Sequence, residues 1–182
     1  GEMVLADGIL NDASVSDAQK LNVLTNTINH GIAFLIDIPI RFNFEKAFHE
    51  ARMNGEVGVS QLKELMVKSM ETQFGDLLER DGANPMFWAS KLHFYISGVT
   101  FYNFPYTFGY LLSRGLFEMF RREGRAFLPK YQNFLKLSGS DMAHKVAKKA
   151  IKADLESADF WKQAIMSHEP ELTMFEKLAK KV

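Results

Sequence analysis

The sequence predicts an all-α protein, and three observations carry that reading. Apolar residues recur at three- and four-residue spacings in one segment after another. No segment alternates apolar and polar residues every second position with the β-branched enrichment of a strand. The 182 residues are 47% apolar and 13% aromatic, enough to bury a sizeable core. A single multi-helix domain spanning 1–182 is expected, without an internal repeat of fixed period.

Taken in order, Met3, Leu5, Ala6, Ile9 and Leu10 share a face of a short helix ending near Asn11. Ser16-Asp17 reads as an N-cap, followed by Leu21, Leu24, Ile28, Ile32, Leu35 and Ile36 at helical spacing. Pro39 removes one intrahelical hydrogen bond, and Phe42, Phe44, Ala47, Phe48 and Ala51 then resume the face. The result is one long kinked helix over about 16–54. Ser60 is expected to cap the next helix, which carries Leu62, Leu65, Met66, Met70 and Phe74 and stops at Gly75. Asp81-Gly82-Ala83-Asn84-Pro85 is a turn. Pro105 is pre-set for a first helical turn and opens a central aromatic helix over about 105–122, in which Gly109 falls where an aromatic side chain would crowd a neighbour. A short helix bears Phe127, Tyr131 and Phe134. Ser140-Asp141 caps a basic helix with Lys145, Lys148, Lys149 and Lys152, Ser157 caps another, and the tail from Pro170 to Val182 is weakly helical.

Basic and acidic residues balance at 22 each, so no global basic field draws the chain to nucleic acid. The absence of cysteine excludes disulfides and thiolate metal sites and fits a cytoplasmic location. No basic stretch followed by an apolar core and cleavage site opens the sequence, so no signal peptide is read. The uncharged run between Lys91 and Arg114 is near membrane-spanning length, but its Asn103, Pro105, glycines and tyrosines favour burial among helices, and no membrane partner is expected.

That same run holds the candidate chemistry. It carries His93, Tyr95, Tyr102, Tyr106 and Tyr110, more hydrogen-bonding groups than core filling requires. Tyr106 and Tyr110 are four residues apart on one helix, and Tyr102 precedes the bend. Imidazole and phenol groups donate well to a developing oxyanion, and their rings bind apolar side chains of a peptide. A packed aromatic core with satisfied hydroxyls accounts for the same residues. Elsewhere, His49-Glu50 begins like the zinc-helix motif H-E-x-x-H, but position 53 is Met and the motif fails, leaving His49 as a helix-surface residue with Glu45 one turn earlier. No Gly-x-Ser-x-Gly and no glycine-rich phosphate loop occur.

The stretch Phe101-Tyr102-Asn103-Phe104-Pro105-Tyr106-Thr107-Phe108-Gly109-Tyr110-Leu111-Leu112-Ser113 resembles the C-terminal substrate-binding segment of the oligoendopeptidase F family of zinc metallopeptidases, relatives of thimet oligopeptidase. The segment from Tyr131 to Ser140 and the Ser157-Ala158-Asp159-Phe160-Trp161 stretch look like the family's later elements. Gly1-Glu2-Met3-Val4-Leu5-Ala6-Asp7 is similar to the helix that carries its third zinc ligand, and Arg41, Phe44, Glu45 and His49 fall near a further family helix.

The resemblance implies a zincin-like oligopeptidase acting on short peptides, with Glu2 as third zinc ligand, His93, Tyr102 and Tyr106 as oxyanion and substrate contacts, and Tyr110 in substrate binding. Tyr95 is assigned to the core. The H-E-x-x-H helix is absent, so this chain is expected to be the C-terminal fragment of a larger catalytic domain, inactive alone and without tight zinc. The alternative is a stand-alone helical interaction module or pseudoenzyme, forming a homo-dimer through exposed apolar surface.

Overall fold

The computed structural model describes residues 1–79 and 81–181, so Val182, at the end of the expected tail, lies outside the described residues. The fold is all-α: among the described residues there is no strand and there are nine α-helices. They are α1 (Glu2–Asn11), α2 (Asp17–Ile32), α3 (Ile38–Arg52), α4 (Val59–Phe74), α5 (Phe104–Glu123), α6 (Leu128–Leu137), α7 (Ala143–Ile151), α8 (Ala158–Met166) and α9 (Glu169–Ala179). The chain divides into two compact units, Gly1–Ile28 with Gly109–Val182, and Asn29–Phe108.

The 29–108 unit is built on the α3–α4 hairpin. Ile40, Phe44, Met66 and Met70 are buried between the two helices, and Ile36, Leu62, Leu65, Trp88 and Phe94 pack against them. These are the apolar positions that the helical spacing selected. Burying each such side chain contributes about 1.5–3 kcal/mol, so the hairpin is held mainly by this interdigitation.

The long helix is continuous from Asp17 to Arg52, 36 residues, and its irregularity is a π-turn at Ala33–Asp37 rather than a break at Pro39. A proline has no N–H to donate, so the carbonyl four residues before it loses its α-helical partner. Here Leu35 C=O accepts from Gln73 Nε2 at 3.0 Å and Phe34 C=O from Thr107 Oγ1 at 2.6 Å. By length and composition the run is also apolar enough to cross a membrane, as long core helices of soluble proteins are; its most apolar window has a mean hydropathy of 1.2.

In the other unit, Leu24, Leu111, Phe127, Ala147, Ile151, Ala164 and Leu178 are buried. Ser16 does cap α2, in a reciprocal arrangement. Its N–H donates to Gln19 Oε1 at 3.1 Å and its Oγ accepts from Gln19 N–H at 3.3 Å, a capping box that satisfies two backbone donors at once. Ser157 caps α8 by accepting from Asp159 N–H at 3.2 Å.

Several expectations are corrected. Gly58, not Ser60, is the N-cap of α4, and Met142, not Ser140 or Asp141, is that of α7, with Asp141 accepting from Met142 N–H instead. Lys152 leaves the basic helix face and forms its left-handed C-cap at φ 59°. A methyl group at Gly109 would meet nothing within 4 Å, so crowding does not explain that glycine. Crowding falls at Gly115, where a Cβ would overlap the ring of Phe160.

Candidate functional site

Three of the residues singled out in the sequence come together in the 29–108 unit. His93 sits on a 3-10 turn, Leu92–Tyr95; Tyr102 sits on the bend before α5, and Tyr106 in its first turn. His93 Nε2 and the Tyr106 hydroxyl are 3.3 Å apart. The His93 ring lies 6.0 Å from Tyr102 in a stacked arrangement and 5.6 Å from Tyr106 edge-on, and the two tyrosine rings are 5.6 Å apart. Tyr102 and Tyr106 keep 44% and 37% of their surface exposed, so the packed-core explanation does not describe them. An outside ligand can reach both rings.

Tyr106 titrates above the ordinary phenol range, chiefly because it is withdrawn from water and secondly because of Tyr102; Arg41 acts in the opposite direction and is outweighed. A phenol keeps its proton at neutral pH with or without this shift, so the Tyr106 hydroxyl has a hydrogen to donate. Arg41 is fixed by an ion pair with Asp37 one turn earlier and lies 5.9 Å over the Phe87 ring.

The bend that delivers Tyr102 is held from α3. Phe101 adopts φ 55°, a left-handed conformation that costs a bulky residue roughly 1–3 kcal/mol. Its N–H donates to Glu45 Oε1 at 2.6 Å, and Asn103 Nδ2 donates to Glu45 Oε2 at 3.2 Å. Glu45 is 5% exposed and Asn103 fully buried. Asn103 Oδ1 and Trp88 Nε1 are buried polar atoms without a hydrogen-bond partner. His49 is not a plain surface residue: it is half-buried, its ring 5.1 Å from that of Phe101. Tyr95, assigned to the core, is 55% exposed and donates weakly to Ala89 C=O at 3.4 Å.

Tyr110 belongs to the other unit and to a second polar group that sequence reasoning missed. Its hydroxyl lies 3.0 Å from His168 Nε2, with the rings stacked at 5.7 Å. His168 Nδ1 lies 3.1 Å from Glu171 Oε2, which also accepts from Arg114 Nη2 at 3.0 Å. Arg114, only 3% exposed, donates further to Ser167 Oγ at 2.7 Å and Ser167 C=O at 2.9 Å. Burial tends to raise the Glu171 carboxyl, but the hydrogen bond from His168 and the Arg114 guanidinium outweigh it and hold the group below its usual range. Burial raises the Tyr110 phenol, against the pull of Arg114. Only the uninterrupted His168-Glu169-Pro170-Glu171 sequence at the start of α9 hinted at this group.

Glu2 occupies the first turn of α1, exposed. No group of three or more His, Asp or Glu side chains able to hold a metal exists among the described residues. The described residues therefore do not by themselves make up a zinc centre. An apolar cleft of about 330 Å3 in the first unit, lined among others by Val4, Leu116, Phe117, Phe120 and Tyr131, contains none of the residues singled out as a site.

The comparison with known proteins gives a class first: the chain is distantly related to oligopeptidases. One relative is oligopeptidase PepF of Bacillus subtilis (strain 168), 25% identical over all 182 residues of this chain. The chain spans 26% of that protein's length. No family model matches the sequence, and no solved structure does.

Proposed function

We propose that this chain is the C-terminal, substrate-binding portion of a cytoplasmic zinc-dependent oligoendopeptidase, with short peptides as its substrates. The observation that carries the reading is the open His93–Tyr102–Tyr106 group, in which an imidazole and a protonated phenol lie 3.3 Å apart beside exposed aromatic surface. In this reading one of the pair, His93 or Tyr106, donates a hydrogen bond to the carbonyl oxygen as charge develops on it while the other fixes it through their shared hydrogen bond, and Tyr102 holds the neighbouring apolar side chain. Pre-set donors of this kind act without reorganisation at the moment of reaction. Glu2 contributes one zinc ligand, and a longer polypeptide supplies the H-E-x-x-H helix.

The test is cleavage of a short quenched peptide by a polypeptide that joins this chain to such a helix. H93A and Y106F are each expected to lower kcat by about 10²–10³. The chain alone should show neither cleavage nor tight equimolar zinc binding. Undiminished turnover in both variants would remove the role assigned to the group, and robust cleavage by the chain alone would refute its dependence on the missing helix.

A second reading, an interaction module that forms a homo-dimer, is favoured by the apolar cleft around Phe117 and Phe120. Light scattering decides it: a strictly monomeric chain at high concentration rules the dimer out.

A further inference from the structure

We propose that Glu45 is the positioning residue of the His93–Tyr102–Tyr106 group, acting through the turn between Phe101 and Asn103. The inference rests on the reading of that group as a substrate wall and extends it to a residue that touches none of the three rings in the contacts described above.

Three observations converge on this carboxylate. Both of its oxygens are committed to one short segment, Oε1 to Phe101 N–H at 2.6 Å and Oε2 to Asn103 Nδ2 at 3.2 Å, which brackets Tyr102 on both sides. Phe101 is held at φ 55°, a conformation that needs an outside constraint in a bulky residue. Asn103 is fully buried, and its Oδ1 lacks a hydrogen-bond partner, so the amide is oriented for its donor toward Glu45 at the expense of its acceptor. Helix stability alone asks for none of this. A glutamate in the middle of α3 would ordinarily lie in water, whereas this one is 5% exposed and 56 residues in sequence from the backbone it grips.

The consequence is geometric. Tyr102 leaves the segment between the two gripped residues, and Tyr106 N–H donates to Asn103 C=O at 3.2 Å in the first turn of α5. Fixing Phe101 and Asn103 thus sets both the direction of the Tyr102 side chain and the start of the helix that carries Tyr106. His93 meets Tyr106 only if that start is in place.

Conservative replacement separates positioning from charge. In E45Q the new amide oxygen still accepts from Phe101 N–H, and its nitrogen donates to Asn103 once that amide turns over, so the turn survives without the carboxylate. In E45A both grips are lost. The measurements are nuclear Overhauser contacts between the His93 and Tyr106 rings in the chain, and affinity for a short peptide. E45Q is expected to keep the ring contacts and to hold affinity within about twofold, whereas E45A loses the contacts and weakens peptide binding about tenfold or more, as the loss of a well-placed hydrogen bond or ring contact of about 1.5 kcal/mol does. M70A, which weakens the same core without touching the turn, should leave the ring contacts intact.

Ring contacts unchanged in folded E45A, or lost equally in E45Q and M70A, would overturn the proposal. Should E45A fail to fold, N103A decides, because it removes one grip only: the proposal requires altered ring contacts, and unaltered contacts overturn it. If the parent chain binds no peptide, the substrate-wall reading falls, while the ring contacts still judge Glu45 by themselves.

Discussion

Among the described residues, two histidine–tyrosine hydrogen bonds of nearly equal length sit in opposite surroundings. His168 and Tyr110, 3.0 Å apart, continue into Glu171, Arg114 and Ser167, and the histidine is 9% exposed. His93 and Tyr106, 3.3 Å apart, have exposed aromatic surface beside them, and among the described residues no carboxylate partners that histidine. In the first pair the donors and acceptors are used up within the protein, which is what a buried polar group requires. In the second, one donor of the pair remains available to a ligand. The difference shows that the pairing itself does not mark a site; what surrounds the pair does.

The comparison breaks most visibly at Arg114. R114A leaves Glu171 without its buried cation, and a loss of about 3–5 kcal/mol in urea denaturation is expected. H168A should cost about 1–3 kcal/mol, because Tyr110 and Glu171 both lose a partner in partly buried surroundings. H93A, its counterpart in the other pair, should change stability by no more than about 0.5 kcal/mol while abolishing the catalytic contribution proposed for it. Equal losses in the two histidine variants would erase the distinction.

Acid sharpens the contrast further. Glu171 titrates lower in the folded protein than its ordinary value of 4.5, so its stabilising contribution is complete above that pH and disappears as pH falls through the lower, folded value. Thermal denaturation followed below pH 4.5 should therefore decline less steeply in E171Q than in the parent chain; parallel curves would show that Glu171 is not the group responsible.

Helix identities were legible because they rest on local rules. The apolar stripe of α4, the Ser16 cap and the proline opening α5 are all determined within a few residues. So was the short-range grouping of Tyr102 with Tyr106, and the unusual aromatic content of the run brought in His93. What escaped depends on partners distant in sequence. Arg114 and Glu171 are 57 positions apart, and Glu45 and Asn103 are 58 apart; in the sequence each reads as an ordinary polar residue of a helix or bend. Gly115 escaped for the same reason, since its neighbour Phe160 lies on another helix, while Gly109, with more aromatic neighbours in sequence, has open space around it.

Pro39 shows how such distant relations can still originate in one local fact. By lacking a hydrogen it removes the backbone donor that would close the turn onto Leu35 C=O, and Gln73 is the side chain delivered there, while Thr107 donates to Phe34 C=O one residue earlier. An alanine at position 39 would restore a backbone donor that competes with Gln73 for Leu35 C=O. The proline thus works less as a breaker of its own helix than as a reservation held for Gln73, beside which Thr107, a single residue beyond Tyr106, finds its own acceptor.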